Sequence, residues 1–350
     1  MLEHGGNLSL AAHQYGIPFE YWLDLSTGIN PNGYPIADIP ASAWQRLPID
    51  NDGLIIAACT YYGCQSALAT AGSQAALQVL PQIRQTSQLS TKCKTASSKV
   101  AMPKLMYQEH AKAWQRNGFE IVLFDAYPDK NIINNVDVLL LCNPNNPTAA
   151  QFQVAELLNW HRQLSQHGGW LVVDEAFIDV TPEYSIAKYA HLEGLFVLRS
   201  LGKFFGLAGV RVGFLLGHEK ALTRVQEIIG PWSIAGPSRF IAQQALMDTT
   251  WQDNTRWQLS ASSFRLATLL TQYGLTPTAG TALFQFSPTM LAAKWQQHLA
   301  KQGIWVRLFS GNNRLTKHTD LTEYSALRFG LPPEDGWERL ETALKNFSEI

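Results

Sequence analysis

Lys203 stands in RSLGKFFGLAGVRVGF (199–214). A lysine that ends an apolar run and precedes two phenylalanines sits where an ammonium group is desolvated, which lowers its pKa and frees the amine to condense with a carbonyl. Schiff-base chemistry is the functional expectation; a lysine reaching from a pocket edge to solvent is the plain alternative. The stretch is not a P-loop, because Phe204 follows Gly202-Lys203 where Ser or Thr belongs. Gly202, Gly206, Ala208 and Gly209 are small enough to let the backbone approach a bulky bound group.

Ser200 and Arg211 flank that lysine, and Gly72-Ser73-Gln74 opens the helical pattern AALQVL. Guanidinium, hydroxyl groups and the N–H groups of a helix start are what a phosphate dianion requires. Taken singly, Ser73 is a plain N-cap and Arg211 a surface ion pair. Asp174 closes the run LVVD and lies too near the core to remain ionised without a partner. A protonated ring nitrogen would satisfy it.

The elements that must position these groups are seven short apolar runs: 68–72, 99–103, 120–124, 137–143, 170–176, 195–200 and 212–217. Several are apolar on both faces and alternate with helical stretches such as 151–166, which predicts a doubly covered, mostly parallel sheet in an α/β domain. Gly72-Ser73, the loop from Asn143 to Thr148, Asp174 and Ser200 to Lys203 each follow the carboxyl end of a run. In an open α/β sheet the ligand crevice lies outside those ends. The polar segment 84–100 is expected to be an exposed loop or insertion. After GPWSIAGPS (230–238), a long helical stretch, the strands 283–287, 304–309 and 326–330 and a helix near 333–347 predict a smaller α+β domain. The expected division is 1–45 as an N-terminal segment joining the small domain, 46–245 as the large domain and 246–350 as the small one.

Charged residues make up only 16% of the 350 positions, and 27 Lys+Arg against 28 Asp+Glu leave a formal charge of −1. That balance supplies no footprint for nucleic acid or an anionic membrane and favours a small-molecule partner. No run approaches the roughly 20 apolar residues that span a bilayer, and the start lacks a signal-peptide pattern, so a cytoplasmic setting is expected. Cys59, Cys64, Cys93 and Cys142 form no C-x-x-C pair and show no metal-ligand spacing with histidine, which predicts reduced, buried thiols and no metal.

With Lys203 in SLGKFFGLAGVRVGF, Asp174 in VVDEAF and Asn146 in NPNNPT, the chain resembles the pyridoxal-phosphate enzymes of the class I/II aminotransferase family over nearly its whole length. Within that family HGGN (4–7), DLSTGINP (24–31), YQEHAKAW (107–114), DEAFID (174–179) and GPWSIAGP (230–237) are similar to the threonine-phosphate decarboxylases of cobalamin biosynthesis, whose nearest relatives are histidinol-phosphate aminotransferases. The resemblance implies pyridoxal 5'-phosphate as cofactor, with Lys203 as its Schiff-base lysine and Asp174 on the pyridinium N–H. It further implies Asn146 on the ring O3′, Tyr107 on the ring face, and Ser73, Gln74, Ser200 and Arg211 on the cofactor phosphate. Arg328 is implied for the substrate α-carboxylate, Arg307 and His4 for a second anion, and Gly28 and Asn146 for the substrate pocket. The implied reaction is decarboxylation of L-threonine O-3-phosphate to (R)-1-amino-2-propanol O-2-phosphate by a homodimer. A histidinol-phosphate-type aminotransferase is the alternative. A non-catalytic pyridoxal-phosphate-binding regulator is a third, disfavoured by the charge balance. Three departures bear on the site: Phe177 stands where the aminotransferases carry Tyr, Gly202 replaces a hydroxyl residue before the lysine, and Ala149 replaces the glycine of NPTG. The RYP tripeptide of many relatives reads Arg46-Leu47-Pro48, which weakens the expectation of a phosphate contact across subunits.

Overall fold

The computed structural model describes residues 5–89, 98–310 and 325–347. The chain packs as two compact units, one made of Met1–Asn32 and Asp253–Ile350, the other of Gly33–Gln252. These limits differ from the expected ones near 45 and 245. Residues 33–45 join the larger unit through contacts such as Tyr34 N–H donating to the Phe205 carbonyl at 2.8 Å. The later limit falls inside one continuous helix, Thr249–Gln272, so no change of composition marks it.

Strand β1 (Leu23–Asp24) belongs to the smaller unit. The larger unit supplies β2 (Ala67–Ala71), β3 (Lys99–Pro103), β4 (Glu120–Phe124), β5 (Val138–Cys142), β6 (Trp170–Asp174), β7 (Leu195–Ser200) and β8 (Val212–Leu216). All seven expected runs are strands of one sheet, in the order β2-β8-β7-β6-β5-β3-β4. Pairing is parallel except at β8, which runs antiparallel to both β2 and β7. Every residue of β5 and β8 is buried, as a sheet covered on both faces requires. The reversal of β8 matters for chemistry. It brings the start of β8, beside Arg211, to the same sheet edge as the carboxyl ends of β2, β5, β6 and β7, and Ala71 pairs with Val212 while Ser200 pairs with Gly213.

The expected loop at 84–100 is corrected in its first part, because the helix Ser73–Leu89 continues through it. Arg84 is buried there, with Nη2 3.7 Å from Asp137 Oδ1 and its guanidinium 4.9 Å from the Trp170 ring centroid. A single buried cation with two partners outweighs the polar composition that follows it. Residues 90–97, including Cys93, lie outside the described residues.

The smaller unit adds β9 (Ala279–Thr281), β10 (Phe284–Pro288), β11 (Ile304–Trp305), β12 (Arg307–Ser310) and β13 (Ser325–Gly330). An antiparallel sheet runs in the order β12-β13-β10-β9, and β1 pairs in parallel with β11. The rings of Tyr15, Trp22 and Trp305 meet edge to face beside the buried Ala11 and Ala300. The final helix is Trp337–Lys345. Among the described residues, no helix is long and apolar enough to cross a membrane.

Candidate active site

At the end of β2 the chain turns through Gly72 (φ 70°) into the helix that starts at Ser73. A Cβ on Gly72 would lie 2.7 Å from Arg211 Nη2, so glycine leaves the guanidinium resting against the backbone of the turn. Gly213 on β8 approaches even closer: a Cβ there would be 2.3 Å from the Ser73 nitrogen. Arg211 adopts a left-handed φ of 56°, uncommon for a non-glycine residue, and donates from Nη1 to the Ala208 carbonyl at 3.2 Å. A helix start, the Ser73 residue that opens it and a guanidinium thus lie together at one sheet edge. This cradle fits a phosphate, and the buried carboxylate described next fits a ring N–H.

Asp174 ends β6 and is buried. Its Oδ2 lies 2.8 Å from Nε2 of His110, and its Oδ1 accepts from the Ala176 N–H at 3.0 Å. His110, on the helix Glu109–Arg116, is itself 1% exposed. Cys142, paired with Asp174 across β5 and β6, completes a buried His110–Cys142–Asp174 group whose ligand atoms lie within 4.8 Å of one another. Burial, then the neighbouring Asp174, pushes the Cys142 thiol well up and keeps it neutral. Neither His110 nor this grouping was anticipated from the sequence. The motif YQEHAKAW contains the histidine, but nothing in its spacing points across 64 residues to the carboxylate.

Tyr107 links this carboxylate to the cradle. Its hydroxyl donates to Gln74 Oε1 at 3.4 Å, and its ring meets that of His110 edge-on at 5.9 Å. Burial, with help from Glu109 and Asp174, raises its phenol to about 12. In the loop after β5, Asn143 Oδ1 accepts from the Phe152 N–H at 2.8 Å, and Asn145 Nδ2 donates to the Leu105 carbonyl at 2.8 Å and to Thr148 Oγ1 at 2.7 Å. These bonds fix the frame that carries the half-buried Asn146. Ala149, in the place of the relatives' glycine, takes φ 55°, a left-handed conformation that glycine adopts without strain.

Lys203 Nζ lies 5.4 Å from the ring centroid of Phe177, and Phe204 and Phe205 beside it are fully buried. Ser200 Oγ accepts from the Gly202 N–H at 3.2 Å. Just before it, the buried Arg199 bonds Glu175 Oε2 at 2.9 Å and also meets Asp179, which pins the DEAFID loop to β7; the sequence reading did not find this network. Contacts therefore link Arg211 to the Gly72 turn, Gln74 to Tyr107, Tyr107 to His110 and His110 to Asp174, while Lys203 faces Phe177 and Gly213, the cross-strand partner of Ser200, lies close against Ser73.

The smaller unit holds its own cationic group. Arg307 and Arg328 are direct cross-strand partners on β12 and β13. Arg328 is buried, 5.2 Å from the Phe284 ring centroid, and donates to the Ser26 carbonyl. Burial and the adjacent Arg307 lower its pKa to about 10, with Asp24 opposing. Ser26 also receives the Gly6 N–H on its Oγ at 2.7 Å, and a Cβ on Gly5 would lie 2.4 Å from its carbonyl oxygen, so the glycine pair of HGGN serves a close backbone approach. Gly28 takes φ 64°. His4 lies outside the described residues.

The family model for aminotransferase class I and II matches residues 47–322. Over all of its length the chain is 44% identical to a threonine-phosphate decarboxylase from Pseudomonas aeruginosa, covering 99% of that protein. A threonine-phosphate decarboxylase from Sinorhizobium is 35% identical across 96% of this chain and 95% of its own. Among solved structures, histidinol-phosphate aminotransferase from Sinorhizobium meliloti, in complex with pyridoxal-5'-phosphate, shares the fold with a TM-score of 0.76 at 18% identity, over 98% of this chain and 94% of that one.

Proposed function

The chain belongs to the aminotransferase class I and II family, and from that premise we propose that it is a pyridoxal-phosphate-dependent decarboxylase of L-threonine O-3-phosphate. The product is (R)-1-amino-2-propanol O-2-phosphate, for cobalamin biosynthesis. The observation that carries the enzymatic reading is Asp174, a buried carboxylate held by His110 at the same sheet edge as the Gly72–Arg211 cradle. The decarboxylase assignment rests on the full-length likeness to the Pseudomonas protein.

Ser73, the Gln74 backbone, Ser200 and Arg211 hold the cofactor phosphate in this reading, Asp174 the ring N–H and Asn146 the ring oxygen, with Tyr107 against the ring face. When bound, pyridoxal phosphate supplies an aldehyde that condenses with amines and a ring that accepts the electron pair released at the substrate Cα. Lys203 would hold the cofactor through its aldehyde and would move a proton at the substrate Cα. Asp174, oriented by His110, would hold the ring N–H, so that the ring could accept an electron pair. Phe177 brings no hydroxyl to the ring oxygen and leaves Asn146 as its donor.

In the smaller unit, two guanidiniums in cross-strand register favour a ligand with two anionic groups. Arg328 takes the α-carboxylate and Arg307 the substrate phosphate, with Gly28 beside the former in sequence-motif terms and His4 as a further donor. A homodimer belongs to the same reading: Ile36, Trp44, Leu47, Ile49 and Ile56 are exposed on the larger unit, more apolar surface in one short stretch than a monomer comfortably shows. The described cysteines are free thiols, which supports a reducing, cytoplasmic compartment.

Incubation of the holoenzyme with threonine phosphate and 2-oxoglutarate decides the reaction. Release of CO2 without glutamate is the expected result. Glutamate with little CO2 would make the protein an aminotransferase of the histidinol-phosphate type instead.

A further inference from the structure

The helix Leu54–Tyr62 ends in Gly63, at φ 64° and ψ 29°, and the N–H groups of Gly63 and Cys64 both turn back to the carbonyl of Cys59. The Cys64 bond is the six-residue link of a Schellman ending, the left-handed cap in which the residue after the glycine bonds back to the carbonyl five residues earlier. Its geometry brings the side chains of those two positions together, and an apolar contact usually joins them. Here both are cysteines.

We propose that Cys59 and Cys64 form a redox modification site, which a hydroperoxide converts to an intramolecular disulfide. The two thiols differ as a reacting pair must. Cys59 is half-buried and open to solvent, whereas Cys64 is buried. A hydrogen bond between the two thiols pulls the Cys59 pKa down to about 7 and, with burial, pushes that of Cys64 up. The carbonyl end of the helix opposes a thiolate at Cys59, so hydrogen bonding from Cys64 is what makes it the nucleophile of the pair.

The Cys59 thiolate attacks one peroxide oxygen, the O–O bond breaks, and the departing hydroxide takes a proton to leave as water with a sulfenic acid on Cys59. The Cys64 sulfur then attacks the Cys59 sulfur, the S–O bond breaks, and the hydroxyl leaves with the Cys64 proton as a second water. Two thiols lose two electrons, and one peroxide is reduced to two waters. The loop so closed is short, so the bond adds little restraint to the unfolded chain. Its consequence is chemical: it consumes the sulfenic acid before a second peroxide carries it to the irreversible sulfinic acid.

Both cysteines fall on one tryptic peptide, 47–84, which contains no other cysteine. Holoenzyme treated with a few equivalents of hydrogen peroxide, quenched by alkylation and digested, should yield this peptide about 2 Da lighter than the reduced, unalkylated form. Dithiothreitol should restore two alkylatable thiols. Cys64→Ser should instead leave a sulfenic acid at Cys59 that dimedone captures, and Cys59→Ser should slow consumption of Cys64 by at least about ten-fold, since it is buried and a poor thiolate. The wild-type peptide decides the matter even if a variant folds badly. Sulfinic acid at Cys59 with no disulfide, a disulfide that instead joins either residue to Cys142 or Cys93, or a peptide left reduced while the chain's other cysteines oxidise would each overturn the proposal.

Discussion

His110→Phe tests the core of the site. Phenylalanine keeps an aromatic ring in a pocket where the residue is 1% exposed, and keeps the edge contact with Tyr107, but removes the 2.8 Å bond to Asp174 Oδ2. The carboxylate keeps the Ala176 N–H at 3.0 Å on its other oxygen. A buried hydrogen bond to a charged group is worth about 1.5–3 kcal/mol. If all of that support counts in the bond-breaking step, kcat/KM should fall roughly 10- to 150-fold. The fall should sit mainly in kcat, because a ring nitrogen that is poorly held in its protonated form would accept the electron pair less readily. The assay is CO2 release from threonine phosphate at saturating cofactor, alongside the cofactor Kd and the thermal midpoint of the apoprotein. His110→Gln, which retains a donor, should recover part of the loss. A His110→Phe enzyme with kcat within two-fold of wild type would show that Asp174 needs no help from His110 to stay in position.

Three further outcomes follow from single positions. Gly72→Ala forces a left-handed alanine, a conformation that costs about 1–2 kcal/mol, and drives its Cβ against Arg211; pyridoxal phosphate should bind at least ten-fold more weakly in equilibrium dialysis, while the smaller unit's anion site is untouched. Arg307→Ala should lose roughly 2–4 kcal/mol of transition-state stabilisation with threonine phosphate and far less with threonine itself, at unchanged cofactor absorbance, and equal losses on both substrates would remove Arg307 from the phosphate. Tyr107, whose phenol is held neutral to about 12 against a usual 10.0, favours folding below pH 10 and loses that contribution as pH rises through 12, so urea denaturation should show the stability of wild type falling relative to Tyr107→Phe between pH 10 and 12.

The seven strands were legible because a doubly covered sheet has no polar face to break its apolar runs, and the residues after their carboxyl ends stood out as the polar and glycine-bearing exceptions. Lys203, Asp174, Ser73 and Arg211 became candidates in this way. The tail of the helix Ser73–Leu89 was not, since its last residues are polar and only Arg84, buried between Asp137 and Trp170, shows that the turn still packs inward. Composition records neighbours in sequence, and those two partners are 53 and 86 positions away.

The same limit explains the groups that the sequence concealed. His110 lies on the buried face of an amphipathic helix, where a histidine and a core residue leave the same trace. Arg199, Glu175 and Asp179 read as an ordinary scatter of charge until β6 and β7 set them side by side. In both cases a residue that is itself adjacent to the chemistry, Asp174 or Ser200, could be read from its place at a strand end, while the residue that holds it in position could not. A strand end is a local property of the chain. A partner for a buried charge is chosen by the sheet order, so it becomes visible only once β5, β6 and β7 are placed, and the 64 residues between His110 and Asp174 are then bridged by one hydrogen bond of 2.8 Å.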